Sequence, residues 1–299
     1  MITCTFRTPI VSRVPKHAVS PNCQHIASLS YGKVWIWTKD GVIEHKLECP
    51  TKKDRFATDL AFSHDGHQIL CNNHRTEWTI TGHRLSPPDT DNPDIMSIAY
   101  SPDDSEIVCG MEDGRVMIWN RETNETHTLS SHTSRVTSVA FSPDGSHMGS
   151  GSIDRTVQIW DPRLQGTFTE QMDLEWPIVA LSCDGRWLVT ASLPIYRHIQ
   201  VWRVTETMTM TNQLIVEKNV YSLALSCDGS HVIIGCNNGS IQVWNHLTNI
   251  MECQMSGHSN NVWSVAFFYD GSHVVSGSRD GTVQIWDCHT GNEVGLYQH

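Results

Sequence analysis

Residues 132–161, HTSRVTSVAFSPDGSHMGSGSIDRTVQIWD, are written in short alternating runs cut by turn residues. VTSVAF alternates apolar and polar positions and ends at SPDG, whose Asp-Gly tolerates the left-handed backbone of a hairpin turn. HMGSGS reads as the return strand, a tight turn at IDRT leads into TVQIW, and after DPRLQG comes a fourth run, TFTEQM. The pattern predicts four short antiparallel strands, one small twisted sheet.

The same text recurs. Residues 271–287, GSHVVSGSRDGTVQIWD, nearly repeat residues 145–161, GSHMGSGSIDRTVQIWD. A Trp closing an alternating run stands at positions 37, 78, 119, 160, 202, 244 and 286, at intervals of 41, 41, 41, 42, 42 and 42 residues. A turn marker runs in phase with it: SPNC at Ser20, SHDG at Ser63, SPDD at Ser101, SPDG at Ser142, SCDG at Ser182 and Ser226, and FYDG at Phe268. A fixed period of this length marks a repeat architecture. A lone four-stranded sheet cannot bury both apolar faces, so the units must stack, and closing the stack into a ring leaves only short edges. No helical periodicity appears. The expectation is one all-β domain over residues 1–299, a seven-bladed β-propeller with four-stranded antiparallel blades.

Composition narrows the function classes. The formal charge of −11 opposes adsorption to nucleic acid and to anionic lipid. No apolar run is long enough to span a membrane, and the opening MITCTFRTPIVSRVPK lacks the apolar segment of a secretory signal. The expected setting is the cytoplasm or nucleus, and the expected state a monomer. Ten Cys occur without a CxxC pair, which favours buried thiols over a zinc site.

The Trp-Asp pairs at 160–161 and 286–287, Gly257-His258 and the turn Arg279-Asp280-Gly281 resemble the WD-repeat (WD40) family across the whole chain. Units four and seven also resemble the repeats attached to fungal nucleotide-binding (NACHT-type) signalling ATPases, although no phosphate-binding GxxxxGK[ST] loop is present. The family resemblance implies a buried tetrad of loop His, strand Ser, turn Asp and strand-ending Trp. Its counterparts are His132, Ser150, Asp154 and Trp160 in unit four, and His258, Ser276, Asp280 and Trp286 in unit seven. Elsewhere the pattern decays. Unit three keeps Asp113 and Trp119 but has Cys109 for Ser and Asp91 for His, while Tyr31, Asn72 and Asn238 stand at the Asp positions of units one, two and six. Unit five carries an insertion, LPIYRH. Packing is expected to hold blades one, two, five and six, which should be the more mobile ones.

A His, Asp and Ser set invites a nucleophilic-catalysis reading, but the tetrad explains it, so no catalytic residue is expected. Asp89, Asp91 and Asp94 lack the central Gly and downstream Glu of a calcium loop, and His67, His147, His231 and His273 fall one per blade, too far apart to share a metal. The sequons at Asn124 and Asn238 lack a secretory signal. Neither cofactor nor metal is expected.

What remains is recognition of a protein or peptide. By the family pattern, the third and fifth residues after each tetrad His position face the channel mouth, as do residues just before the turn Asp. The candidates are Arg13, Phe56, Met96, Arg135, Glu175, Tyr221, Asn261, Trp263 and Arg279, with Tyr221, Trp263 and Arg279 expected to form one patch. The competing reading of Trp263 is a side chain packed into the channel lining. An alternative function is a phosphopeptide reader gripping phosphate with Arg13 and Arg279. The resemblance also implies that the N-terminal segment 2–8, rather than 292–299, supplies the outer strand of the last blade.

Overall fold

The computed structural model describes residues 16–30, 33–39, 41–49, 59–72, 76–85, 95–129, 132–142, 145, 147–161, 166–171, 177–182, 186–192, 198–204, 208–226, 228–268 and 271–298. These contain twenty-eight strands and no helix. Each run of four consecutive strands forms its own antiparallel sheet. The first strand of each sheet is innermost: β1 (Lys16–Val19), β5 (Leu60–Phe62), β9 (Ile95–Tyr100), β13 (Val136–Phe141), β17 (Pro177–Leu181), β21 (Val220–Leu225) and β25 (Val262–Phe267). Each lies beside the first strand of the next sheet, and β25 lies beside β1. The ring is therefore closed, and the molecule is a seven-bladed β-propeller.

Burial follows position in the blade. Every residue of β13 is buried, because an innermost strand has a neighbouring blade on each face. The outer strand Ile250–Ser256 is mostly exposed. Six of the seven repeat Trp residues are buried, and Trp244 is half-buried. Each supplies a large apolar surface where blade meets blade, and truncating such a residue costs roughly 3–5 kcal/mol.

Among the described residues, the hairpin after the inner strand carries one residue in the left-handed region in six blades. Gly66, Gly145, Gly229 and Gly271 fill it with φ of 73°, 68°, 72° and 70°, while Asp104 and Cys23 take the same place at 59° and 57°. The serine opening the turn completes it: Ser63, Ser101 and Ser226 each donate a hydroxyl to the Asp two residues on. A second glycine position is steric. A Cβ on Gly110 would come within 2.6 Å of the Val136 side chain, and one on Gly235 within 2.8 Å of Val262. Glycine in the second strand thus lets the next blade's inner strand approach.

Ring closure departs from expectation. β28 (Glu293–Gln298) pairs antiparallel with β27 (Thr282–Asp287), from Thr282 opposite Gln298 to Trp286 opposite Glu293. The fourth strand of blade seven therefore comes from the C-terminal residues, which overturns its assignment to residues 2–8; those residues lie outside the described part. The cause is local. The Asp287 carboxylate accepts from the N–H groups of His289 and Thr290, and its own N–H donates to Asn292, so a tight turn returns the chain at little entropic cost. Apolar packing seals the seam: Val19, Ile26 and Trp37 of blade one form one cluster with Ala266, Val275, Val283 and Ile285 of blade seven.

Candidate binding face and the buried tetrads

Both expected tetrads are assembled. In blade seven the Trp286 indole N–H donates to Ser276 Oγ at 2.7 Å, Ser276 lies 2.7 Å from His258 Nε2, and His258 Nδ1 lies 3.1 Å from Asp280. Blade four repeats this with Trp160, Ser150, His132 and Asp154 at 3.1, 2.7 and 3.1 Å. One proton arrangement satisfies the chain: serine accepts from Trp and donates to Nε2, leaving Nδ1–H to donate onward to the carboxylate. Burial pushes His132 and His258 below the ordinary imidazole range, against the pull of their Asp partners, so both rings are neutral at pH 7. Burial alone would raise Asp154 and Asp280. Hydrogen bonds from Thr156 or Thr282 and from the N–H of Thr133 or Ser259, with a smaller electrostatic pull from the His, outweigh it and hold both carboxyls below their usual range. With every polar atom of the chain engaged, the network braces its blade.

The remaining blades use fragments and substitutes. Trp37 donates to Ser28 and Trp202 to Thr190, which keeps the Trp-hydroxyl half of the tetrad in blades one and five. Trp119 turns to Asn124 and Trp244 to Gln242. Asn238 holds the Ser240 hydroxyl and N–H as Asp280 holds Thr282, but without a His. Blades two and three carry something absent from the expectation. Arg121 forms a 3.0 Å ion pair with buried Glu77, lies over the Tyr100 ring, and donates to the Asp104 carbonyl. Tyr100 donates its hydroxyl to Glu77 at 2.5 Å, and burial, followed by the Glu77 charge, raises the phenol well above its usual range. Asp104 in turn accepts from the N–H groups of His64 and Asp65. These blades are locked by charge as well as by packing.

The candidate binding residues share a structural cause. In blades three, four, six and seven the inner strand slips register at its start, and the residue passed over is Met96, Thr137, Tyr221 or Trp263. A bulge frees a side chain from the alternation of the strand and re-aims it. Met96, Tyr221 and Trp263 are accordingly the half-buried residues of strands otherwise buried throughout. Tyr221 and Trp263, on adjacent blades, meet edge to face with ring centres 4.7 Å apart. The Trp263 indole N–H is buried and finds no acceptor among the described residues. At the same end of blade seven, Arg279 donates its backbone N–H to the Asn261 carbonyl at 3.0 Å and extends an exposed side chain.

Arg135 is less available, because its guanidinium pairs with Glu112 of blade three. Arg13, Phe56 and Glu175 lie outside the described residues, as do Asp89, Asp91 and Asp94. Among the described residues, no three His, Cys, Asp or Glu side chains converge as metal ligands. The rim histidines stay apart: His231, for example, is engaged by Glu252 of its own blade at 3.0 Å.

Comparison with known families agrees with the geometry. The model of the WD domain, G-beta repeat, matches residues 74–120, 123–161, 208–245 and 251–287, together more than half of the chain. Among curated proteins no relative matches. Three of the matched segments end on the Trp-bearing strands of blades four, six and seven, and the fourth on that of blade three, each one residue past the repeat Trp. With a seven-bladed ring, two complete tetrads and these matches, the chain belongs to the WD40 repeat family.

Proposed function

We propose that the ring is a non-catalytic recognition module that captures a protein or peptide across the mouth formed by blades six and seven. The observation that carries this reading is the Tyr221–Trp263 pair, two aromatic side chains set by bulges on adjacent inner strands. Aromatic and Arg side chains dominate interface energetics, and Arg279 stands exposed on the same end of blade seven. Asn261 adds amide hydrogen bonding there. WD40 propellers in general serve as protein-interaction scaffolds. The likeness of units four and seven to repeats of fungal signalling ATPases supports a sensor role within a larger assembly.

Affinity capture with the wild type and with Tyr221→Ala and Trp263→Ala tests this. Partners recovered by the wild type should be lost by both variants while the fold, read by circular dichroism, persists. Folded variants that retain every partner would place binding elsewhere. The phosphopeptide alternative draws support from the exposed Arg279 cation, for which no ion pair occurs among the described residues. A phosphorylated and a plain peptide pool, offered side by side, separate the two readings: only the alternative requires preference for phosphate.

A further inference from the structure

Blade two replaces the core of the tetrad with sulfur. Its second strand, Gln68–Cys71, pairs with Thr76–Thr79 from Gln68 opposite Thr79 to Cys71 opposite Thr76. Blade seven runs in the same register, from His273 opposite Asp287 to Ser276 opposite Gln284. Cys71 therefore occupies the place of Ser276. The segment that enters blade seven from the outer strand of blade six supplies His258. The corresponding segment, leaving the outer strand Ile43–Glu48 of blade one, supplies Cys49. The two sulfurs lie 3.2 Å apart, where blade seven has its 2.7 Å contact between His258 and Ser276. Both side chains are buried in one apolar cluster with Leu47, Leu60 and Trp78.

We propose that Cys49 and Cys71 form a reversible disulfide that ties the outer edge of blade one to blade two, with a hydroperoxide such as hydrogen peroxide as oxidant. The geometry is close to bonding: a relative shift of about 1 Å brings the sulfurs to disulfide length. Cys49, 5% exposed against 0% for Cys71, meets the small oxidant first. The Cys49 thiolate attacks one peroxide oxygen, the O–O bond breaks, and Cys49 becomes a sulfenic acid with release of the first water. The Cys71 sulfur then attacks the Cys49 sulfur, the S–O bond breaks, and the departing hydroxide takes the Cys71 proton as a second water. Two thiols and one peroxide thus give one disulfide and two waters, the two electrons passing from sulfur to oxygen. A dithiol reductant reverses the bond by exchange.

The tie would fall where the ring lacks a His–Ser bridge, between two blades that have no complete tetrad. The test uses the full chain, treated with hydrogen peroxide, alkylated in denaturant and mapped by mass spectrometry. The expected result is a linked peptide pair containing Cys49 and Cys71, abolished by dithiothreitol, together with a rise in Tm on oxidation. That rise should be absent from Cys49→Ala and Cys71→Ala, each compared with its own reduced form. Separate alkylation of both residues after oxidation, their conversion to sulfinic acids without a link, or an equal Tm rise in the variants would overturn the proposal. If a variant does not fold, the peptide map of the wild type decides alone.

Discussion

Blades seven and two share strand order, register and a buried closing Trp, yet they hold their shape by different means. In blade seven the Trp286 indole hands its hydrogen bond through Ser276 and His258 to Asp280. In blade two the serine position carries Cys71, and the polar load sits one rung along the ladder, where Glu77, opposite Leu70, meets Tyr100 and Arg121 of blade three. The first solution is internal to the blade and joins a neutral His ring to a single carboxylate. The second is charged and belongs to two blades at once. A blade of this fold can therefore lose its signature residues if a neighbour takes over the fastening.

The comparison assumes that both blades are complete with their own outer strand, and the largest expected effect tests that. Truncation before residue 292 removes the ladder between β27 and β28 and should lower Tm by roughly 5 °C or more, whereas deletion of residues 1–9 should cost less. A differential scanning measurement giving the reverse order would return the outer position to the N-terminal segment. Next comes Arg121→Ala, which strands the Glu77 carboxylate in the core and should destabilise by about 3 kcal/mol in urea unfolding. A loss no larger than that of an exposed-site control would mean that blade two is held by packing alone.

A smaller effect is expected from His258→Ala. Removing the ring leaves the Ser276 hydroxyl and the Asp280 carboxylate underpaired, at about 1–3 kcal/mol, while Asn238→Ala in blade six should cost less because no His depends on it. Equal losses would dissolve the distinction between complete and partial tetrads. The mildest test is pH. His132 and His258 titrate below the ordinary imidazole value of 6.5 in the folded chain, so below that value the unfolded chain binds more protons. Their contribution is complete above pH 6.5 and is lost as pH falls toward the folded values. The depressed Asp154 and Asp280 add a further loss at more acid pH, below the carboxylate value of 3.8. Stability should therefore fall on mild acidification, and His132→Gln with His258→Gln should flatten the decline between pH 7 and 5.

Much of this was legible in the letters. The Trp spacing places all seven blades, because an indole at the end of each third strand is the bulkiest recurrent packing element. The tetrads were visible because their four residues recur at fixed offsets. The closure was not: the segments 2–8 and 292–299 both suit an exposed outer strand, and alternation cannot rank two such candidates. The Glu77–Tyr100–Arg121 lock was hidden because its members belong to different repeats and no repeated offset links them. The partner of Cys71 was equally silent, since Cys49 lies a blade away and a thiol in a strand reads as a small apolar residue. For the proposed binding face, the family pattern singled out Met96, Tyr221 and Trp263, but the bulge behind them was not legible, because one skipped residue leaves no mark on a six-residue run.

That bulge has an evolutionary corollary. At four equivalent places the ring carries Met, Thr, Tyr and Trp, side chains that differ widely in volume and polarity, while the flanking Ile95, Val136, Val220 and Val262 stay aliphatic and buried. A position uncoupled from the ladder can be rewritten without repacking what lies beneath. On the proposed reading, the mouth of the ring is a row of interchangeable keys on a fixed board, and new specificity can be sampled one letter at a time at little risk to the scaffold.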